Sequence, residues 1–174
     1  PFKPYSKKTS MFKWKPEWEE AGQEYDKAGA CYKLCKEYAK GLNVYELAAD
    51  AHEKATDMYH AGSSFEKGAE MAQEMKDGKK MFEFCKLAAD KYERNGTPAA
   101  AATVMEKAAK AADKLGDFRR SGACYLKVVD LYETEEKIRQ MRVPLEKAAG
   151  ACIKAQDYVQ AMTVLEKQFA LFTK

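Results

Sequence analysis

The amino-acid sequence predicts an all-α fold, a tetratricopeptide-like array of about eight helices that pair as antiparallel hairpins and twist into a right-handed solenoid or sheet. Three observations predict it. Equivalent residues recur every twenty positions, apolar residues within each twenty follow the period of a helix, and large aromatic residues alternate with small ones on the predicted core face. The 174 residues, 46% of them hydrophobic and 33% charged, suffice for one folded domain.

The repeats begin at residue 17 and then at every twentieth residue. Pro98 lies directly after one of these starting residues, where proline is favoured in the first helical turn. Each repeat is therefore predicted to be one helix of about fifteen residues followed by a short turn. Five of the starting residues are expected to cap their helices by accepting hydrogen bonds from the first free N–H groups: Asp57, Asp77, Thr97, Asp117 and Asp157.

The core face is predicted from positions counted from each starting residue. Positions one, four, eight, eleven and fifteen share one face of a helix. Position eight is apolar or aromatic in every repeat: Tyr25, Tyr45, Phe65, Cys85, Met105, Tyr125, Leu145 and Leu165. Position eleven is small or aliphatic in all repeats but the last: Ala28, Ala48, Gly68, Ala88, Ala108, Val128, Ala148 and the exception Gln168. Because a ring on one helix needs a small neighbour on the next, this alternation predicts close packing of adjacent helices.

The predicted linkers contain residues that favour turns. Asn95-Gly96 and Gly116 directly precede two of the starting residues, and Gly78 is assigned to the fourth linker. Pro144 departs from the pattern because it falls inside the seventh predicted helix. Since proline removes a backbone donor, we expect it to kink that helix or to begin it anew.

No residue pattern supports catalysis. Phosphate-binding loops, hydrolytic motifs and common metal-binding motifs are absent from the sequence, so we expect no enzyme, no cofactor and no metal. His52 occupies a core-facing position, and His60 lies in the first turn of the third helix, where we expect it to be solvated. Adjacent acid-lysine pairs such as Glu66-Lys67 predict solvated helix faces. The cysteines, odd in number and scattered, predict reduced thiols in a cytosolic protein: Cys31, Cys35, Cys85, Cys124 and Cys152.

Residues 1–15 are a basic and apolar segment ahead of the helical-repeat domain, which is assigned to residues 16–174. The segment has five lysines and no acidic residue. Its apolar side chains interleave with lysines, a mixture that suits the interface of an anionic bilayer, and the predicted membrane contacts are Met11, Phe12, Lys13, Trp14 and Lys15. The residues alone equally allow a lid, in which Phe12 or Trp14 folds back onto the first helix.

Neither a membrane-spanning helix nor a nucleic-acid partner is expected. No stretch approaches the ~20 apolar residues of a membrane span. Outside the first segment the basic residues are interspersed with acidic ones, and the aromatic residues follow the helical phase of a core, so nucleic acid is not expected as a partner.

Three runs of residues resemble one known family, the gamma-type soluble NSF attachment proteins. The run from Phe12 to Trp18 is similar to the start of the family's first helix. The segment from Tyr92 to Pro98 is similar to a characteristic turn, and the segment from Glu135 to Gln140 is similar to a later joint. Pro144 and the lysine-rich residues 1–10 depart from the family pattern.

The resemblance implies an adaptor of vesicle-mediated membrane traffic. Such proteins grip the SNARE four-helix coiled coil (syntaxin-type) with basic side chains on a concave face, and they engage an NSF-type ATPase through a carboxyl-terminal bundle that we expect to be absent from these residues. It also implies a cytoplasmic protein that associates peripherally with membranes, and it favours membrane contact by the first segment over the lid.

The resemblance also suggests which residues contact the SNARE bundle. Basic positions of the alpha form correspond here to Thr97 and Thr103, so the closer candidates are Arg139, Arg142 and Lys147. The alternative function is a helical-repeat structural scaffold in a larger cytoskeletal or organellar assembly, because one repeat fold serves many functions.

Overall fold

The computed structural model describes residues 17–173, and these form eight α-helices and no strand. The all-α prediction is confirmed. The first seven helices have 17 residues each and the eighth has 15, slightly more than the predicted length for most of them. The helices are α1 Trp18–Leu34, α2 Tyr38–Lys54, α3 Met58–Glu74, α4 Gly78–Arg94, α5 Pro98–Lys114, α6 Phe118–Thr134, α7 Ile138–Lys154 and α8 Tyr158–Phe172.

Each of the seven linkers has three residues and the same hydrogen-bonded turn. In the first, the Lys36 N–H donates to the Lys33 carbonyl and the Glu37 N–H donates to the Tyr32 carbonyl, the pattern of a Schellman motif. The middle residue of every linker has a positive φ: Lys36, Thr56, Lys76, Gly96, Gly116, Glu136 and Gln156. The two glycine turns are confirmed. Gly78, however, is the first residue of α4 and not part of a linker.

The predicted helix caps are confirmed at the four aspartates and wrong at the threonine. Each aspartate accepts a hydrogen bond of 3.0 to 3.1 Å from the N–H three residues later: Asp57, Asp77, Asp117 and Asp157. The Thr97 hydroxyl instead donates to the Tyr92 carbonyl of the preceding helix at 2.9 Å, so it closes one helix instead of opening the next. Pro98 is in the first turn of α5, as predicted.

Pro144 does not begin a new helix, because α7 runs without interruption from Ile138 to Lys154. In the other helices the fourth residue donates to the N-cap carbonyl, but here the Gln140 N–H donates to the Lys137 carbonyl at 2.9 Å, a tighter first turn. Proline offers no N–H to the Gln140 carbonyl. Gln140 is exposed, so water can serve that carbonyl.

Large and small residues pack against one another as the sequence predicts. A Cβ added to Gly68 lies 2.5 Å from the ring of Phe84, and one added to Gly29 lies 2.7 Å from the ring of Tyr45. These glycines therefore let neighbouring helix backbones approach closely. Leu165 on α8, the last described helix, is the exception at position eight, because it is 47% exposed.

The helices form two rows. Each helix packs mainly against the helices before and after it in the chain. Ion pairs also join alternate helices, such as Lys107 on α5 to Glu66 on α3 and Lys127 on α6 to Glu93 on α4. We call α1, α3, α5 and α7 the odd row and α2, α4, α6 and α8 the even row. The rows enclose the core, and each exposes its own outer face.

The cysteines fall into two classes, and their reactivity should differ accordingly. Cys31 and Cys35 are exposed, whereas Cys85, Cys124 and Cys152 are buried. Burial raises the pKa of Cys85 to about 12 and that of Cys124 to about 11, so little reactive thiolate is present at neutral pH. Under native conditions iodoacetamide should rapidly add two groups per chain by intact mass, and all five thiols should react in urea. Rapid native labelling of a third cysteine would contradict this burial.

Candidate functional site

The three predicted SNARE contacts lie on the exposed side of one helix, α7. Arg139 and Arg142 are one turn apart, and the Arg142 guanidinium is 3.2 Å from the Glu146 carboxylate. Arg142 also lines a cleft of about 470 Å³ between α7 and α8, together with Leu165 and Phe169. The structure thus places these residues along a helix face that is partly basic and partly apolar, and it does not gather them at one point.

Lys147 differs from the lysines at the same repeat position. Lys67 reaches back to Asp26 at 3.2 Å and Lys107 reaches back to Glu66 at 2.6 Å, each joining two helices of the odd row. Among the described residues, Lys147 has no carboxylate within 4.0 Å, and its ammonium lies 5.5 Å from the ring centre of Tyr125. Its charge is therefore available to a partner.

The ion pairs between alternate helices were not foreseen from the sequence, which suggested solvated neighbours such as Glu66-Lys67. Glu66 instead pairs with Lys107, forty residues away in the chain, and both side chains are partly buried. Burial by itself lowers the pKa of Lys107, but the hydrogen bond and charge of Glu66 outweigh it and raise that pKa. The signal in the sequence is an acid at position nine and a lysine at position ten of alternate repeats.

Asp26 joins three helices. Its carboxylate accepts a hydrogen bond from the Ser64 hydroxyl at 2.9 Å, lies 3.3 Å from His52 Nε2 and forms an ion pair with Lys67. Burial by itself raises the pKa of Asp26, but the His52 hydrogen bond and the charge of Lys67 outweigh it and lower that pKa. This carboxylate therefore ties α1 to α2 and α3.

This cluster contains the three residue types of a hydrolytic triad without its geometry. The single Ser64 hydroxyl proton is shared between the Asp26 carboxylate and the His60 backbone carbonyl, and among the described residues Ser64 has no hydrogen bond to the His52 ring. Ser64 and His52 are at most 1% exposed, which leaves no room for a substrate. His52 is a core residue, as predicted, and its arrangement is structural.

His60 is exposed, as predicted, but it is not isolated from His52. Their ring centres are 5.4 Å apart, and His60 Nδ1 lies 2.7 Å from the Asp57 carboxylate. In the part of the chain that the structure describes, no group of three or more histidine, cysteine or acidic side chains is placed to hold a metal ion.

The predicted membrane contacts lie outside the described residues: Met11, Phe12, Lys13, Trp14 and Lys15. The nearest described aromatic is Trp18 at the start of α1, whose ring lies 4.7 Å from the Lys54 ammonium. Within residues 17–173 no helix has the length and hydrophobicity needed to cross a bilayer.

Comparison with known proteins gives a family match and a similar fold. The model of the family described as soluble NSF attachment protein, SNAP, matches residues 3–170. The crystal structure of BtubC (BKLC) from P. vanneervenii is similar, with a TM-score of 0.59 and 12% sequence identity. That similarity covers 92% of this chain and 66% of the BtubC chain, so the chain spans just under two thirds of that structure's length. At this identity the likeness concerns the fold alone.

Proposed function

This chain belongs to the soluble NSF attachment protein family, and from that premise we propose that it is a non-catalytic adaptor that binds SNARE coiled coils and links them to an NSF-type ATPase. The observation that carries the proposal is the family match over nearly the whole chain. The all-helical repeat array supports it, because such arrays present extended surfaces to partners. The gamma type remains a prediction from the three sequence runs.

We assign the SNARE contact to the outer face of α7. Arg139 and Lys147 lack a carboxylate within 4.0 Å among the described residues, and Arg142 has one exposed ion pair within its own helix. Exposed charges of this kind give up little stabilising energy within their own chain when an acidic coiled coil replaces the water around them. Several such contacts, each weak, give useful affinity when they act together.

We assign membrane contact to the first segment, with Phe12 and Trp14 at headgroup level and its lysines toward anionic lipid. Such tethering raises the local concentration of the adaptor near membrane-anchored SNARE bundles. The resulting protein is cytoplasmic and peripherally membrane-associated. The contact with the ATPase is proposed for the family function as a whole and is assigned to no residue of this chain.

The SNARE contact is tested by replacing Arg142 and Lys147 with glutamate and measuring binding to an assembled, labelled SNARE bundle by fluorescence anisotropy. Reversing two interface charges should weaken binding by about tenfold or more at physiological salt. The unaltered chain should also bind less tightly as salt screens the charges. Equal binding by the altered and unaltered chains would show that α7 is not part of the interface. Absence of binding by either chain would contradict the proposed SNARE-binding function.

The membrane contact is tested separately with liposomes that carry the same bundle. Replacing Phe12 and Trp14 with serine should abolish the enhancement of binding by lipid and leave binding to the soluble bundle unchanged. If the serine variant is still enhanced by lipid, the first segment is not the membrane contact. If neither bundle nor lipid engages the chain, the scaffold alternative replaces the adaptor.

A further inference from the structure

A second basic surface lies on the even row, away from α7. It is formed by the amino-terminal halves of α4 and α6. Four of its cations have no carboxylate within 4.0 Å among the described residues: Lys79, Lys80, Lys86 and Arg119. A fifth, Arg120, has one ion pair within residues 17–173, at 3.4 Å to Asp117, the N-cap residue of its own helix. We call these five residues the α4–α6 basic surface.

The repeat itself marks this surface as unusual. Six of the eight repeats carry an acid at position nine: Asp26, Glu46, Glu66, Glu106, Glu146 and Glu166. In the odd row two of these acids form ion pairs with a lysine of the following odd-row helix, as Glu66 on α3 does with Lys107 on α5. The fourth repeat reverses the charge, because its position nine is Lys86. Lys127 on α6 pairs with Glu93, as Lys167 on α8 pairs with Glu133, and among the described residues Lys86 has no carboxylate within 4.0 Å.

An apolar groove opens between these cations. The Lys86 ammonium lies 5.9 Å and the Arg120 guanidinium 5.7 Å from the ring centre of Phe82. The groove has a volume of about 190 Å³, enough for one aliphatic or aromatic side chain, and is lined by Phe82, Lys86, Met105, Arg120, Ala123 and Cys124. Phe82 and Met105 form a nearly buried floor, so the groove combines an apolar base with a basic rim.

The amino-terminal N–H groups of α4 and α6 do not add an anion site. The Asp77 carboxylate already accepts the Lys80 N–H, and the Asp117 carboxylate accepts the Arg120 N–H, both at 3.1 Å. These carboxylates would repel a small anion such as phosphate at the two helix starts. The surface thus suits spaced negative charges that reach exposed side chains, together with an apolar group that fills the groove.

We propose that the α4–α6 basic surface docks an acidic amphipathic helix of a partner protein. One apolar side chain of that helix fills the groove between Lys86 and Arg120, and carboxylates on the flanking turns meet Lys79 and Arg119. This is the recognition of a helix in a groove, with charge complementarity at the rim. It goes beyond the proposed SNARE contact, because it adds a second partner site on the opposite row.

The probe for this site is a fluorescein-labelled synthetic helix of about 20 residues, ~30 Å long, with glutamates along one face beside a row of leucines. Two control helices carry glutamine for glutamate or alanine for leucine. The 174-residue chain is compared with a Lys86→Glu, Arg119→Glu variant by anisotropy at several salt concentrations. Lys86→Glu restores the acid that most repeats carry at this position, so the fold should persist, and circular dichroism checks this.

The glutamate-leucine helix should bind, more weakly as salt rises, and the variant should bind about tenfold or more weakly. Both control helices should also bind more weakly. The Arg142→Glu, Lys147→Glu variant is the matched double charge reversal on α7. It should keep the part of the probe binding that the Lys86→Glu, Arg119→Glu variant loses, which separates this site from the SNARE contact.

Three outcomes would overturn the proposal: no binding of the probe, equal binding of the glutamine control, or full binding by the Lys86→Glu, Arg119→Glu variant. Phosphatidylserine vesicles provide the remaining comparison. If this surface captures the vesicles and not the helix, it is a lipid-binding surface and the acidic-helix proposal is wrong.

Discussion

Replacing Asp26 with alanine should lower the free energy of unfolding by about 2–4 kcal/mol at neutral pH. The substitution removes the acceptor of Ser64 and the charge that faces Lys67 and His52. His52 Nδ1 already has no hydrogen-bond partner in the described structure, so loss of the Nε2 partner leaves a buried ring with neither nitrogen bonded. Urea unfolding followed by circular dichroism measures the loss.

The effect of Asp26 should depend on pH in a definite direction. The pKa of this carboxyl is lowered in the folded chain, whereas an unfolded aspartate titrates at about 3.9. The ionised carboxylate therefore contributes its full stabilisation above the unfolded pKa, and that contribution is lost as the pH falls through the folded pKa. The difference between the original chain and the alanine variant should be constant from neutral pH down to about 5 and shrink below about 3.9.

Asp50→Ala is the matched control, because it makes the same chemical change on a well-exposed aspartate. Among the described residues, Asp50 forms its ion pair with Lys54 alone, four residues along the same helix. Pairs of this kind contribute about 0.3–0.5 kcal/mol. If Asp26→Ala costs no more than Asp50→Ala, Asp26 does not tie the first three helices together.

Replacing Gly68 with leucine should destabilise the fold by about 3 kcal/mol, the upper end of the usual cost of overpacking a core. The added Cβ alone would lie 2.5 Å from two carbons of the Phe84 ring, and that ring is itself held edge-on by Phe65. Leucine is the better helix former by roughly 0.8 kcal/mol, so propensity opposes the loss and packing must cause it. The urea midpoint should fall accordingly.

Gly150→Leu is the matched control within a helix. A Cβ at Gly150 meets no atom within 4 Å, so the start of the added side chain is not overpacked and we expect the change in helix propensity to dominate there. The control should stabilise the chain by about 0.5–1 kcal/mol. Opposite signs at the two positions would support close packing at the α3–α4 contact, whereas a stabilising effect at both would show that the Phe84 ring moves aside at little cost.

The two proposed partner sites lie on different rows of helices. The face of α7 belongs to the odd row, and the α4–α6 basic surface belongs to the even row. The two surfaces share no residue. The paired variants at Arg142 and Lys147 and at Lys86 and Arg119 therefore serve as controls for each other.

Much of the fold was predictable because it depends on local chemistry. Asp57 and Asp117 cap helices through N–H groups three residues away, and Gly96 and Gly116 take the left-handed turn conformation. Such interactions involve neighbours in the chain, so they can be read from the order of residues. Thr97 shows the limit of such prediction. A threonine between two helices can cap the following helix or bond to the end of the preceding one, and Thr97 donates to the Tyr92 carbonyl of the preceding helix.

The candidate sites were less predictable because a charged residue's role depends on its partner. Lys107 and Lys147 occupy the same repeat position, yet one is paired with Glu66 and the other has no carboxylate nearby in the described structure. Lys86 and Arg120 are 34 residues apart in the chain, and the fold places their charged groups 5.9 Å and 5.7 Å from the ring centre of Phe82. Neither distinction follows from composition or helical phase.

The sequence by itself determined the number of helices, their starting points and the face that each buries, since a helix's period and caps are properties of nearby residues. Only the tertiary structure decided how the charges are shared. It divided the helices into two rows, joined Asp26 to Lys67 and Glu66 to Lys107, and left Lys86 and Lys147 without an acid within reach among the described residues. The physical reason is that ion pairing depends on distances of a few ångströms between side chains that are about forty residues apart in the chain.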